Sequence, residues 1–122
     1  MAHPYYYTLD ENRQPVAMAG PVEDPEAYAK TWSGSFRRVG SSHLCGFHVS
    51  TVFIPIDMNY TGTGDPILWE TMIFDNREDV PDEMRYEEQF QYRYSTEADA
   101  KLGHELAVTL VRERLSKGLP PG

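Results

Sequence analysis

The chain has 122 residues, 40% of them hydrophobic and 12% aromatic, with a formal net charge of −8. That length suits a single domain with one modest core, and the composition is too apolar for a disordered chain. Nineteen acids against eleven bases exclude broad duplex or anionic-membrane binding, and a single cysteine, Cys45, excludes an internal disulfide or a multi-cysteine metal site.

Tyr5 to Leu9 reads as a short aromatic strand ending in a turn at Asp10-Glu11-Asn12, and residues 13–23, with Pro15, Gly20 and Pro21, read as a surface connection. Asp24 is placed to N-cap a short helix whose first position is Pro25, and Ser33-Gly34-Ser35 stops it after Trp32. Residues 36–44 and 47–56 form two predicted strands joined near Cys45-Gly46, with the cysteine expected as a small buried hydrophobe. Strand alternation puts His48, Ser50, Val52, Ile54 and Ile56 on one face, and Val49, Thr51, Phe53 and Pro55 on the other. Residues 67–74 repeat the pattern, with Leu68, Glu70, Met72 and Phe74 opposed to Ile67, Trp69, Thr71 and Ile73. An acidic loop over 75–88 leads to a half-exposed strand at 90–94. Ser95 or Thr96 caps a last helix running to about Ser116, before Gly118 and the prolines end it. Its expected apolar face carries Leu102, Leu106, Ala107, Leu110 and Val111.

These elements predict an α+β domain over residues 1–122. A strand and short helix (1–34) precede an antiparallel sheet of about four to five strands (35–94), closed by a long helix (95–117). The central strands are apolar on both faces and one helix covers one face, so a homo-oligomer, a dimer or higher, is expected to cover the other. No apolar run approaches the ~20 residues of a membrane span, the start lacks a basic-then-apolar leader, and one cysteine suits a reducing compartment. The expectation is a cytoplasmic protein with no cofactor, no membrane partner and no nucleic-acid partner.

Glu70 is the most informative single residue, because Leu68, Met72 and Phe74 share its face. A carboxylate there must be paired, by Arg93, Arg37, His48 or His104, or must serve a ligand or a reaction. Residues 57–65 partly mimic a calcium loop, but Leu68 stands where a bidentate glutamate is required, and a polar hairpin loop is the expectation. His43, His48 and His104 lack metal-ligand spacing, and no nucleophile motif is present. Aromatic residues (Trp32, Phe36, Trp69, Phe74, Tyr92, Tyr94) accompany arginines 37, 38, 93, 112 and 114. Aromatic faces stack on bases and guanidinium forks pair with phosphates, so the mixture suits a nucleotide pocket as well as a core with surface ion pairs.

Three segments carry a resemblance: Val49-Ser50-Thr51-Val52-Phe53, Pro66 through Phe74 with its Glu-Thr-Met-Ile-Phe, and Arg93-Tyr94-Ser95-Thr96 leading to Gly103-His104-Glu105. Over roughly residues 36–116 the chain resembles a group of small phage and prophage proteins similar to the anti-Thoeris sponge proteins. It departs from that group at Ile54-Pro55-Ile56-Asp57-Met58 and in its longer acidic stretch. The resemblance implies a phage-encoded anti-defence protein of the host cytoplasm that binds a cyclic ADP-ribose isomer and withholds it without cleaving it. It also implies Asn59, Trp69, Glu70, Phe74, Arg93, Arg112 and Arg114 as ligand-binding residues, with no catalytic residue. Two rival readings stay open: a module docking its acidic surface on a host protein, and a nucleotide-cleaving enzyme using Glu70 and a histidine.

Overall fold

A computed structural model of the protein describes residues 6–61, 63–78 and 91–116. The segment with the cleanest alternation lies at the heart of the sheet. Strand β4 (Phe47–Phe53) buries Phe47, Val49, Thr51 and Phe53 and leaves the residues between them half-buried, the two-residue period of a strand with unequal faces. It pairs on one side with β3 (Arg38–Leu44) and on the other with β5 (Trp69–Asp75), and β6 (Gln91–Tyr94) adds to β5. All three pairings are antiparallel. Leu44 lies opposite Phe47, so Cys45 and Gly46 form a two-residue turn with φ of 47° and 91°. Two positive angles define the turn type whose twist matches that of the strands it joins. Cys45 is therefore exposed at a hairpin tip rather than buried.

Helix α3 (Glu97–Ser116) starts where the Thr96 Oγ1 accepts the Asp99 N–H at 3.1 Å, and it packs across one face of the sheet. Its buried positions are Ala100, Gly103, His104, Ala107, Val108 and Val111. The expected apolar face is thus corrected: Leu102 and Leu106 are each 66% exposed, and Leu110 is also exposed. The small side chains at 100, 103 and 107 let the helix backbone approach the sheet closely, which turns the leucine stripe sideways to solvent.

Two apolar clusters fill the space under α3. Phe47, Val49, Ile73, Ala107, Val108 and Val111 form one, and Tyr7, Leu9, Phe53, Leu68, Trp69 and Ala100 form the other. Each fully buried Val, Leu or Phe contributes about 1.5–3 kcal/mol relative to exposure. Between them runs a line of hydrogen-bonded side chains. The Tyr94 hydroxyl donates to Thr71 Oγ1 at 3.1 Å, Thr71 and Thr51 share a bond of 2.6 Å, and Thr51 meets His104 Nδ1 at 2.8 Å. His104 Nε2 then meets Ser42 Oγ at 2.9 Å. A head-to-tail orientation satisfies every member, for example with Thr51 donating to Nδ1 and Nε2–H donating to Ser42, and the opposite imidazole tautomer makes the same bonds with Ser42 and Thr51 in exchanged roles. Space for this line comes from two glycines. A Cβ at Gly40 would sit 2.9 Å from the His104 ring, and one at Gly103 would fall on the Tyr94 hydroxyl, 1.9 Å away.

The N-terminal part differs from expectation in two places. Residues 13–23 contain a strand, β2 (Pro15–Met18), which pairs with β1 (Tyr6–Leu9) to form a separate two-stranded sheet. Proline at its first position, opposite Leu9, is compatible with an edge strand. The Tyr7 N–H donates to the Pro55 carbonyl at 3.0 Å and ties this hairpin to the main sheet. Helix α1 (Pro25–Thr31) is capped by Asp24 as expected, but Phe36 and Arg37 belong to a short helical turn, α2 (Gly34–Arg37). The Ser33 carbonyl accepts both of their N–H groups, so the segment that stops α1 also starts α2.

The architecture is α+β: the described residues form sheets of two and four strands, two short helices and the long C-terminal helix. Most of the acidic stretch, from residue 79, lies outside the described residues, as do Phe90, Gly118 and the final prolines. Among the described residues no helix is long and apolar enough to cross a membrane.

Candidate ligand-binding site

The face of the sheet turned away from α3 is a groove of about 360 Å³. Strand alternation decides its chemistry: Ser41 from β3, His48, Ser50 and Val52 from β4, and Glu70, Met72 and Phe74 from β5 all face this way. The turn between α2 and β3 brings Arg37 and Arg38 to the same space.

Register builds a ladder of rings along one side. His43 lies opposite His48, and His48 opposite Phe74. The two imidazoles stack with centroids 4.2 Å apart and planes 6° from parallel, and Phe74 follows at 5.9 Å. His48 Nε2 shares a hydrogen bond of 2.9 Å with Ser41 Oγ. Burial pushes the His48 pKa below its ordinary value, and His43, Arg38 and His104 push it the same way, so this ring is neutral at pH 7.

On the other side lie fixed charges. Glu70, 9% exposed, accepts from Arg93 Nε at 2.9 Å, its register partner on β6. Arg37 donates from Nε to the Phe53 carbonyl at 3.0 Å and stacks 4.7 Å over Trp32. Burial lowers the Arg37 pKa while Glu70 works against that shift, and a guanidinium in this setting stays charged. Arg38 is exposed at the rim and brings a second guanidinium to the groove. The arrangement offers apolar floor, ring faces, two hydroxyls, two arginines held at one end and one buried carboxylate. That combination can hold a small molecule with both a planar ring and an anionic group.

Of the residues expected at a ligand site, Glu70, Phe74 and Arg93 come together on this face. Trp69 does not: it is 1% exposed and packs in the core against Phe53 on the opposite face of β5. Asn59 commits its amide to its own loop, donating to the Thr63 and Asp65 carbonyls at 2.8 and 2.9 Å and accepting from Thr61. Arg112 and Arg114 stand on α3, the helix that covers the other face. Ser41, His48 and Ser50 line the groove without standing among the expected ligand residues, and His43 stacks on His48 beside it. A two-residue Cys45-Gly46 turn aligns His43 with His48, so that pairing was encoded in the sequence. Among the described residues no group of three His, Cys, Asp or Glu side chains is placed to hold a metal ion. Comparisons with protein-family models, with curated proteins and with solved structures each returned no match.

Proposed function

We propose that the protein binds a small anionic nucleotide in the groove on the open face of its sheet and holds it without converting it. The observation that carries this reading is the convergence of Arg37 and Arg38 with the His43–His48–Phe74 ring ladder above an apolar floor. Guanidinium groups suit a phosphate or pyrophosphate, ring faces suit a base, and Ser41, Ser50 and the Glu70–Arg93 pair suit ribose hydroxyls. With the resemblance to the sponge proteins, this favours a phage anti-defence role in the host cytoplasm, with a cyclic ADP-ribose isomer as ligand. The test is to incubate the protein with such isomers, remove unbound material, denature by heat and analyse what is released. Intact ligand supports sequestration. Converted product favours the enzyme reading, and no retained ligand defeats nucleotide binding.

The homo-oligomer belongs to the same proposal but on a different surface. Leu102, Leu106 and Leu110 form an exposed stripe on α3, and Leu106 and Leu110, with Tyr92 and Tyr94, border a cavity of about 500 Å³ beside β6. Among the described residues strand β6 ends the order of the main sheet. Two copies meeting edge to edge there would bring the leucine stripes together and leave both grooves open.

A further inference from the structure

A second cavity, of about 420 Å³, lies where residues 13–15 of the β1–β2 hairpin meet the first turn of α3; Arg13, Gln14, Trp69, Thr96, Glu97 and Lys101 are in its wall. Among the described residues two buried side-chain N–H-bearing atoms have no acceptor, Arg13 Nη2 and Trp69 Nε1, and both residues line this cavity. An unmatched buried donor costs about 1–3 kcal/mol, so two beside one cavity point to an acceptor that the polypeptide does not supply.

The rest of the Arg13 fork is committed: Nε to Glu97 Oε1 at 2.6 Å and Nη1 to the Phe36 carbonyl at 2.9 Å. Thr96 Oγ1 already caps the Asp99 N–H, while the N–H groups of Glu97 and Ala98 occupy first-turn positions that no intrahelical bond reaches. They stand at the positive end of a helix of 20 residues. Lys101 is exposed, with Nζ 4.0 Å from Glu97 Oε2, so two cations face one carboxylate.

We propose that this cavity is an anion subsite that takes the phosphate or carboxylate group of a small ligand. Trp69 Nε1, Arg13 Nη2 and the first-turn N–H groups are its donors, and Lys101 guards its mouth. The cavity has room for more than one oxyanion, and Pro15 offers an apolar wall to any organic body the anion carries. Trp69 and Glu70 face opposite sides of β5, so this site and the groove are separate, and either can fail without the other.

Both N–H groups are sealed from bulk water, so an acceptor reaches them only as neighbouring side chains give way, and the indole resonance reports that event. The experiment follows the Trp69 indole N–H by proton–nitrogen correlation spectroscopy, assigned against a Trp32→Phe variant. Inorganic phosphate and acetate are titrated separately at constant ionic strength. The expected result is a saturable movement of the Trp69 signal; the Trp32 signal, beside Arg37 of the groove, reports that other site separately. Lys101→Glu, an exposed change that spares the fold, should weaken it at least about tenfold, the scale of one charge-assisted contact. A response to phosphate alone assigns a phosphate group, and a response to acetate assigns a carboxylate. No saturable movement with either anion, or equal titrations for wild type and Lys101→Glu, overturns the proposal.

Discussion

Gly103 and His104 set the distance between the long helix and the sheet, one by having no side chain and the other by filling the gap with a ring. Because a Cβ at 103 would meet the Tyr94 hydroxyl, which is itself bonded to Thr71, Gly103→Ala forces that hydroxyl off its partner. Chemical denaturation should show a loss of about 1–3 kcal/mol, the usual cost of overpacking, whereas alanine at an exposed helix-interior glycine would stabilise. Burial holds the His104 pKa below its ordinary value, with Glu105 acting weakly in the opposite direction. The unfolded chain therefore binds more protons than the folded one once pH falls below about 6.5, so stability rises with pH across that range. Denaturation midpoints should fall as pH is lowered from 7 through 6.5 and level off below the folded-state pKa. His48, shifted the same way, contributes to the slope. His104→Gln should be less stable at pH 8 and show a shallower slope, and an unchanged slope would remove His104 from this role. At this scale the sequence was only partly readable. It flagged Glu70 as a carboxylate needing a partner and named Arg93 among the candidates, but the Thr51–His104–Ser42 line depends on how close the helix comes. Nothing in one strand or one helix states that distance.

The β3–β4 hairpin was legible because its signals are local: strict alternation through β4 and a two-residue turn at Cys45-Gly46. The turn is also imperfect. Cys45 holds φ of 47°, a conformation that asparagine or glycine adopts more easily. Cys45→Asn should raise stability by about 0.5 kcal/mol, read as a higher denaturation midpoint with unchanged slope, and should remove the exposed thiol. Helix α3 was legible in its start and span but not in its rotation. Leucines 102, 106 and 110 outweigh Ala100, Gly103 and Ala107 in any count of hydrophobicity, yet close approach favours the small residues. Strand β2 escaped notice for a related reason: four residues beginning with proline carry no usable period, and pairing with β1 supplies what the pattern lacks. The ligand-site expectations divided along the same line. Residues on β5 and β6 that share the face of Glu70 came together, while Trp69, one position away, necessarily faced the core.

At the scale of the whole molecule, one helix covers one face of a four-stranded sheet, and the other face remains a groove in which arginines 37 and 38 collect positive charge on an acidic protein. That local sign reversal against a net charge of −8 is what a site for a small anion requires, since long-range repulsion from the rest of the surface is screened over about 8–10 Å at physiological salt. The apolar stripe on α3 leads to a separate prediction: light scattering at micromolar concentration should give a mass above one chain, and Leu106→Glu should return it to one. A single-chain mass for the wild type would remove the homo-oligomer and leave the groove untouched. The central claim is that the open face binds the nucleotide, and calorimetric titration of wild type and Arg38→Glu with cyclic ADP-ribose isomers tests it most directly. Arg38 is exposed, so the substitution spares the fold. The account predicts saturable binding by the wild type and an affinity at least about tenfold weaker in the variant, the loss expected for one charge-assisted contact; no binding by the wild type, or equal affinities for both, would contradict it.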